Sequence, residues 1–97
     1  MLHIFTSSPF QSRALEQSLS TIVADDAVLL IQDAVLAITA NFDALTVLRD
    51  QGITISVLLP DLHARGLVGR LREGFEGVDY QGFVSLTEAH ETQMKWD

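Results

Sequence analysis

Ala27-Val28-Leu29-Leu30-Ile31 is an apolar run with no polar residue inside it, bracketed by Asp25-Asp26 before and Gln32-Asp33 after. A strand with one face in water alternates apolar and polar residues. An unbroken run of this length instead marks a strand covered by helices on both faces, the pattern of a central strand in a parallel sheet.

Downstream, Asp33 is placed to cap a short helix over residues 34–40, and Asn41 to cap a second over residues 42–50 with Phe42, Leu45 and Leu48 inward. Gly52 is placed to end that helix. Ile53-Thr54-Ile55-Ser56-Val57-Leu58-Leu59 is the next strand, and Pro60-Asp61 closes it before a helical turn that runs to Gly66. Upstream, Leu2 through Thr6 forms a first strand. Ser8 fits an N-cap, Pro9 the first helical position and Gln11 the third position of a capping box, so a helix is expected from there, with Ala14, Leu15, Ser18, Leu19 and Ile22 on one face. The glycines at 66, 69, 74 and 77 make the next stretch irregular. Val78-Asp79-Tyr80 is a candidate fourth strand, and residues 82–90 read as a helix anchored by Phe83 and Leu86. The segment 91–97 carries the only tryptophan, Trp96.

Strand and helix alternating in this way call for parallel strands joined by right-handed crossovers. The expected fold is a three-layer α/β/α sandwich with a mostly parallel sheet of four to five strands, formed by residues 1–97 as one domain.

Six Lys and Arg against thirteen Asp and Glu give a formal charge of −7. That balance repels a phosphate backbone and argues against direct nucleic-acid binding. Arg65, Arg70 and Arg72 are the only basic cluster and read as a solvated face. No stretch approaches the roughly 20 apolar residues needed to span a bilayer, and Met1-Leu2-His3-Ile4-Phe5 lacks the features of a signal peptide, so a cytoplasmic location is expected. A 47% hydrophobic composition is rich for so short a chain, which favours oligomerisation. With no cysteine there is no disulfide, no thiolate metal ligand and no thiol nucleophile.

In an open parallel sheet, function gathers beyond the carboxyl ends of the strands. Those ends are Thr6-Ser7-Ser8, Gln32-Asp33, Pro60-Asp61 with His63, and Tyr80-Gln81. Thr6-Ser7-Ser8 before a helix could hold an anion, although no phosphate-binding glycine fingerprint or P-loop lysine accompanies it. Ser8, Asp33 and His63 are the candidate binding residues and could also be drawn as a triad, but no Gly-x-Ser-x-Gly elbow supports catalysis. His3, His63 and His90 have no spacing that suits a metal, and neither a metal nor a cofactor is expected. Trp96 either packs back on the domain or enters an interface, with the interface favoured.

Met1-Leu2-His3, Ser8-Pro9-Phe10, Leu29-Leu30-Ile31-Gln32-Asp33-Ala34-Val35 and Asp61-Leu62-His63-Ala64-Arg65-Gly66-Leu67, together with Asp79-Tyr80, Phe83-Val84, Leu86-Thr87, His90, Gln93-Met94 and Trp96, resemble the DsrH/TusB family of sulfur-relay proteins over essentially the whole chain. The resemblance implies a DsrEFH-like fold. It also implies a subunit of a TusBCD complex, a heterohexamer with TusC-like and TusD-like subunits that passes persulfide sulfur to a TusE-like acceptor for 2-thiolation of the tRNA wobble uridine.

In that scheme the TusD-type subunit carries the sulfur. DsrH relatives often have a cysteine where Ser18 stands here, and a serine hydroxyl cannot hold a persulfide. Many relatives have glycine where Ala34 stands. As a non-catalytic subunit, the chain is expected to use Trp96, Phe83 and Met94 at its contacts. The alternative is a small-ligand or anion-binding α/β module unrelated to sulfur transfer.

Overall fold

The computed structural model describes all residues, 1–97. Strands β1 (Leu2–Phe5), β2 (Ala27–Leu30), β3 (Thr54–Leu58), β4 (Glu76–Val78) and β5 (Gln93–Trp96) form one sheet in the order β4-β3-β2-β1-β5. Every neighbouring pair is parallel. The apolar run is the middle strand, and all four of its residues in β2 are buried.

From β1 to β4 the chain steps across the sheet in one direction. Right-handed crossovers therefore put α1 (Ala14–Ser18), the 3-10 helix Gln32–Thr39, α2 (Asp43–Asp50) and α3 (Leu59–Ala64) on the same face. The return from β4 to the far side of β1 reverses direction and places α4 (Tyr80–Ala89) alone on the other face. The core follows that split. Phe5, Val28, Leu30, Ile55 and Val57 point to the helix-rich side and join an 18-residue cluster, whereas Leu2, Ile4, Ala27 and Leu29 form a four-residue cluster against Val78, Phe83 and Leu86. This is the expected three-layer α/β/α sandwich, with a five-stranded parallel sheet and unequal outer layers.

Several local expectations are corrected. The Ser8 carbonyl accepts from the N–H groups of Gln11 (3.0 Å) and Ser12 (2.9 Å), and Ser8 Oγ accepts from Phe10 N–H (3.2 Å), so residues 8–12 close a turn rather than open a helix. Helix α1 starts only at Ala14, whose N–H donates to Ser12 Oγ (3.1 Å), and spans five residues. Asp33 and Asn41 cap no helix. Asp33 lies inside the 3-10 helix and pairs with Arg65, while Asn41 Oδ1 accepts from Arg72 (2.9 Å).

The fourth strand begins at Glu76, two residues before the expected one, and Tyr80 belongs to α4. Asp79 caps α4 by accepting from Gly82 N–H (2.7 Å). The last segment adds β5, a strand the sequence pattern did not reveal.

Of the three arginines expected on a solvated face, Arg70 is exposed, while Arg65 and Arg72 are half-buried and clasp the loops. Arg65 binds Asp33 and the Asp61 carbonyl. Arg70 reaches the Thr39 carbonyl, and Arg72 donates to the Ala40 carbonyl while its guanidinium lies 5.3 Å from the Phe75 ring centre. Arg49 covers Phe75 as well, at 5.6 Å. Phe75 is thereby 8% exposed and is the one buried residue of the glycine-rich stretch, which also lays Leu67 and Leu71 against the main core.

Candidate functional site

The carboxyl ends of β1, β2 and β3 carry the three residues singled out for binding, but no hydrogen bond joins any two of them. Ser8 is buried in its turn and its hydroxyl is occupied by Phe10. Asp33 Oδ1 accepts from Arg65 Nη2 at 2.8 Å and from Nε at 3.1 Å, an exposed clamp between the 3-10 helix and the end of α3. His63 is exposed on α3.

The backbone between them is specialised. Gln32 has a φ of +51°, and its N–H donates to Asp61 Oδ2 at 2.6 Å, which ties the end of β2 to the start of α3. Positive φ in a residue with a side chain is uncommon, and here the turn out of the central strand imposes it. Ala34 has no such φ and is buried in the 3-10 helix, so glycine's freedom is not needed at that position.

The Thr6 hydroxyl is likewise spent. It donates to Asp97 Oδ1 at 2.8 Å, which sets a carboxylate where an anion would have to bind.

The densest polar arrangement joins β1, β5 and the turn before β2 and was not anticipated from the sequence. His3, fully buried on β1, has Nε2 2.9 Å from Asp26 Oδ2 and Nδ1 3.1 Å from Trp96 Nε1. An indole N–H only donates, so Nδ1 accepts and the ring proton sits on Nε2, pointing at Asp26. Asp26 also accepts from Val23 N–H (3.1 Å) and, through Oδ1, from the Met1 amino group (2.9 Å). Burial works against its charge, but the Val23 N–H, the Met1 amino group and His3 together outweigh it and hold the carboxyl at about 2. The Trp96 ring stacks on Phe5 at 5.9 Å between centres. The signal available beforehand was the pleat: in a strand whose every residue is covered, His3 has to point into one of the two helix layers.

Comparison with known proteins places this frame. The DsrH-like protein family matches residues 7–93. A protein named TusB from Serratia proteamaculans (strain 568) is 40% identical over 96 residues, covering 99% of this chain and all of the relative. TusB proteins from Enterobacter sp. (strain 638) and Pectobacterium parmentieri are 36% and 35% identical with the same coverage. The chain belongs to the DsrH family. Among solved structures, the ychN protein of E. coli superposes with a TM-score of 0.79 over 97% of each chain at 19% identity, a likeness of fold.

Within this DsrH-family chain, Ser18 is fully buried and its hydroxyl donates to the Leu15 carbonyl at 2.7 Å. Of the residues named for contacts, Met94 is 38% exposed on β5. Phe83 is half-buried against the smaller cluster, and Trp96 is half-buried against the main one. No helix is long and apolar enough to cross a membrane.

Proposed function

We propose that this chain is a non-catalytic structural subunit of a TusBCD-like sulfurtransferase complex that relays persulfide sulfur for 2-thiolation of the tRNA wobble uridine. The observation that carries this reading is Ser18. In a chain without cysteine, the position where DsrH relatives often carry one holds a hydroxyl that is buried and bonded to its own helix. A hydroxyl so placed neither accepts sulfane sulfur nor meets a partner's thiolate. Sulfur then travels on the TusD-like subunit toward a TusE-like acceptor, and this chain supplies surface and geometry within a heterohexamer shared with TusC-like and TusD-like chains.

Co-expression with TusC-like and TusD-like chains of the same genome tests the assembly. Recovery of all three in one complex with two copies of each is the expected result, and a strictly monomeric chain that leaves both partners unbound overturns it. Deletion of the gene is expected to remove 2-thiouridine from the tRNAs that carry it, measured by nucleoside mass spectrometry. A Ser18→Ala variant is expected to restore that modification in the deletion strain to the wild-type level, since the serine carries no sulfur.

A further inference from the structure

Strand β5 contributes little to the core. Gln93, Met94 and Lys95 are exposed, and only Trp96 is half-buried. The strand lies at an edge, paired with β1 alone. Its side chains are anchored at two points: the indole, stacked on Phe5 and donating to His3 Nδ1, and Gln93 Nε2, which donates to the Thr87 carbonyl at 3.4 Å. The Thr6 N–H and hydroxyl hold the end of the strand as well, through the Trp96 carbonyl and the Asp97 carboxylate.

We propose that His3 is a proton-operated latch on the indole: taking a second proton, it releases the Trp96 side chain, while β5 stays in the sheet through its backbone pairing with β1 and the Thr6 bonds. The direction of the break follows from the two ring nitrogens. A proton added to His3 goes to Nδ1, because Nε2 already carries one. The Asp26 side of the ring then gains a charge-assisted hydrogen bond and holds. On the other side an N–H now faces the indole N–H, two donors with no acceptor between them, so that contact is lost and repels.

Asp26, with its carboxyl at about 2, stays anionic throughout the range in which an imidazole titrates, and the Met1 amino group is paired to its other oxygen. The row across the sheet through His3 is Met94, Val28 and Ile55, which brings no charge. The buried residues of α1, Ala14, Leu15 and Ser18, bring none. On β5, Lys95 points to the opposite face from Trp96, and Asp97 Oδ1 is bound to Thr6.

Trp96 is the only tryptophan, so its emission reads the latch directly. The full chain is titrated from pH 8 to pH 5 with indole emission and far-UV circular dichroism followed together. The expected result is an emission change within this range fitted by one proton, with no accompanying loss of secondary structure. His3→Gln keeps one donor and one acceptor but cannot titrate, and it is expected to abolish the change. His90→Gln, which alters the residue between α4 and β5, is expected to leave it intact.

An unchanged emission in the wild-type chain, persistence in His3→Gln, loss in His90→Gln, or global unfolding at the same pH each overturns the latch. Should His3→Gln not fold, the wild-type chain decides the matter by NMR: the Trp96 indole N–H is expected to be protected from exchange at pH 8 and unprotected at pH 5. Equal protection at both values overturns it.

Discussion

The two faces of the sheet are made by the same strands yet differ in depth. On one side four helical segments bury an 18-residue cluster, and on the other a single helix, with none of its own residues fully buried, covers four. The difference is topological before it is chemical. Three crossovers taken in one direction stack their helices on one face, and the only reversed crossover has the second face to itself. Stability should therefore reside on the first face, leaving the second, with exposed Tyr80 and Val84, as the more replaceable surface.

The largest effect expected is on the deep side. Leu48 of α2 is fully buried, and Leu48→Ala should cost about 3 kcal/mol of unfolding free energy through lost burial and a residual cavity. Urea denaturation of the full chain measures it.

Acid comes next, through Asp26. Its folded carboxyl sits at about 2 and its ordinary value is 3.8, so the charged form is favoured by folding. The stability it contributes is complete above pH 3.8 and is lost as the pH falls from there toward 2. The shift corresponds to on the order of 2 kcal/mol. In Asp26→Asn the unfolding free energy at pH 7 should drop by a comparable amount and vary less between pH 4 and pH 2.5 than in the wild-type chain. Equal pH dependence in the two proteins would place the acid sensitivity elsewhere.

The same truncation on the shallow side is smaller. Leu86 of α4 is half-buried, so Leu86→Ala should cost about 1 kcal/mol. A loss as large as that of Leu48→Ala would show that α4 is as much a part of the core as α2, and the contrast between the faces would fail.

What the sequence revealed depended on which residues had to satisfy one constraint and which had to satisfy several. Ala27 through Leu30 had only to be buried on both sides, and their uninterrupted apolar character says so. Leu45 and Leu48 had only to face a sheet, and their helical spacing is legible for the same reason. Ser8, Asp33 and Asn41 could each serve as a helix cap or as a partner in a tertiary hydrogen bond. In the folded chain Arg65 and Arg72, more than 20 residues away, take two of the three. Strand β5 was hidden because Gln93-Met94-Lys95-Trp96 needs burial only at its last position. Its register is set by pairing with β1 from the other end of the chain, and no local pattern records that. The His3 cluster was missed for the same reason, since its members stand at residues 1, 3, 26 and 96.

The smallest expected effect on folding falls on the same edge strand. Met94 is 38% exposed on β5, so Met94→Glu should change the unfolding free energy of the isolated chain by less than about 0.5 kcal/mol. A buried interface tolerates that substitution poorly, because a carboxylate without a partner carries its full desolvation penalty. If β5 meets the TusC-like or TusD-like subunit, the same variant should reduce recovery of the three-chain complex on co-purification while the isolated chain unfolds at the wild-type urea concentration. Unchanged recovery would move the contact to another surface, the exposed side of α4 first, where Val84→Glu makes the equivalent test at a position 51% exposed. Separating the two readouts matters because Trp96, two residues along, belongs to the folded core and to the strand end at once. A loss of assembly caused by Trp96→Ala would carry both effects together, whereas Met94 and Val84 lie outside the buried core, and Val84, away from His3, gives the cleaner report on contact.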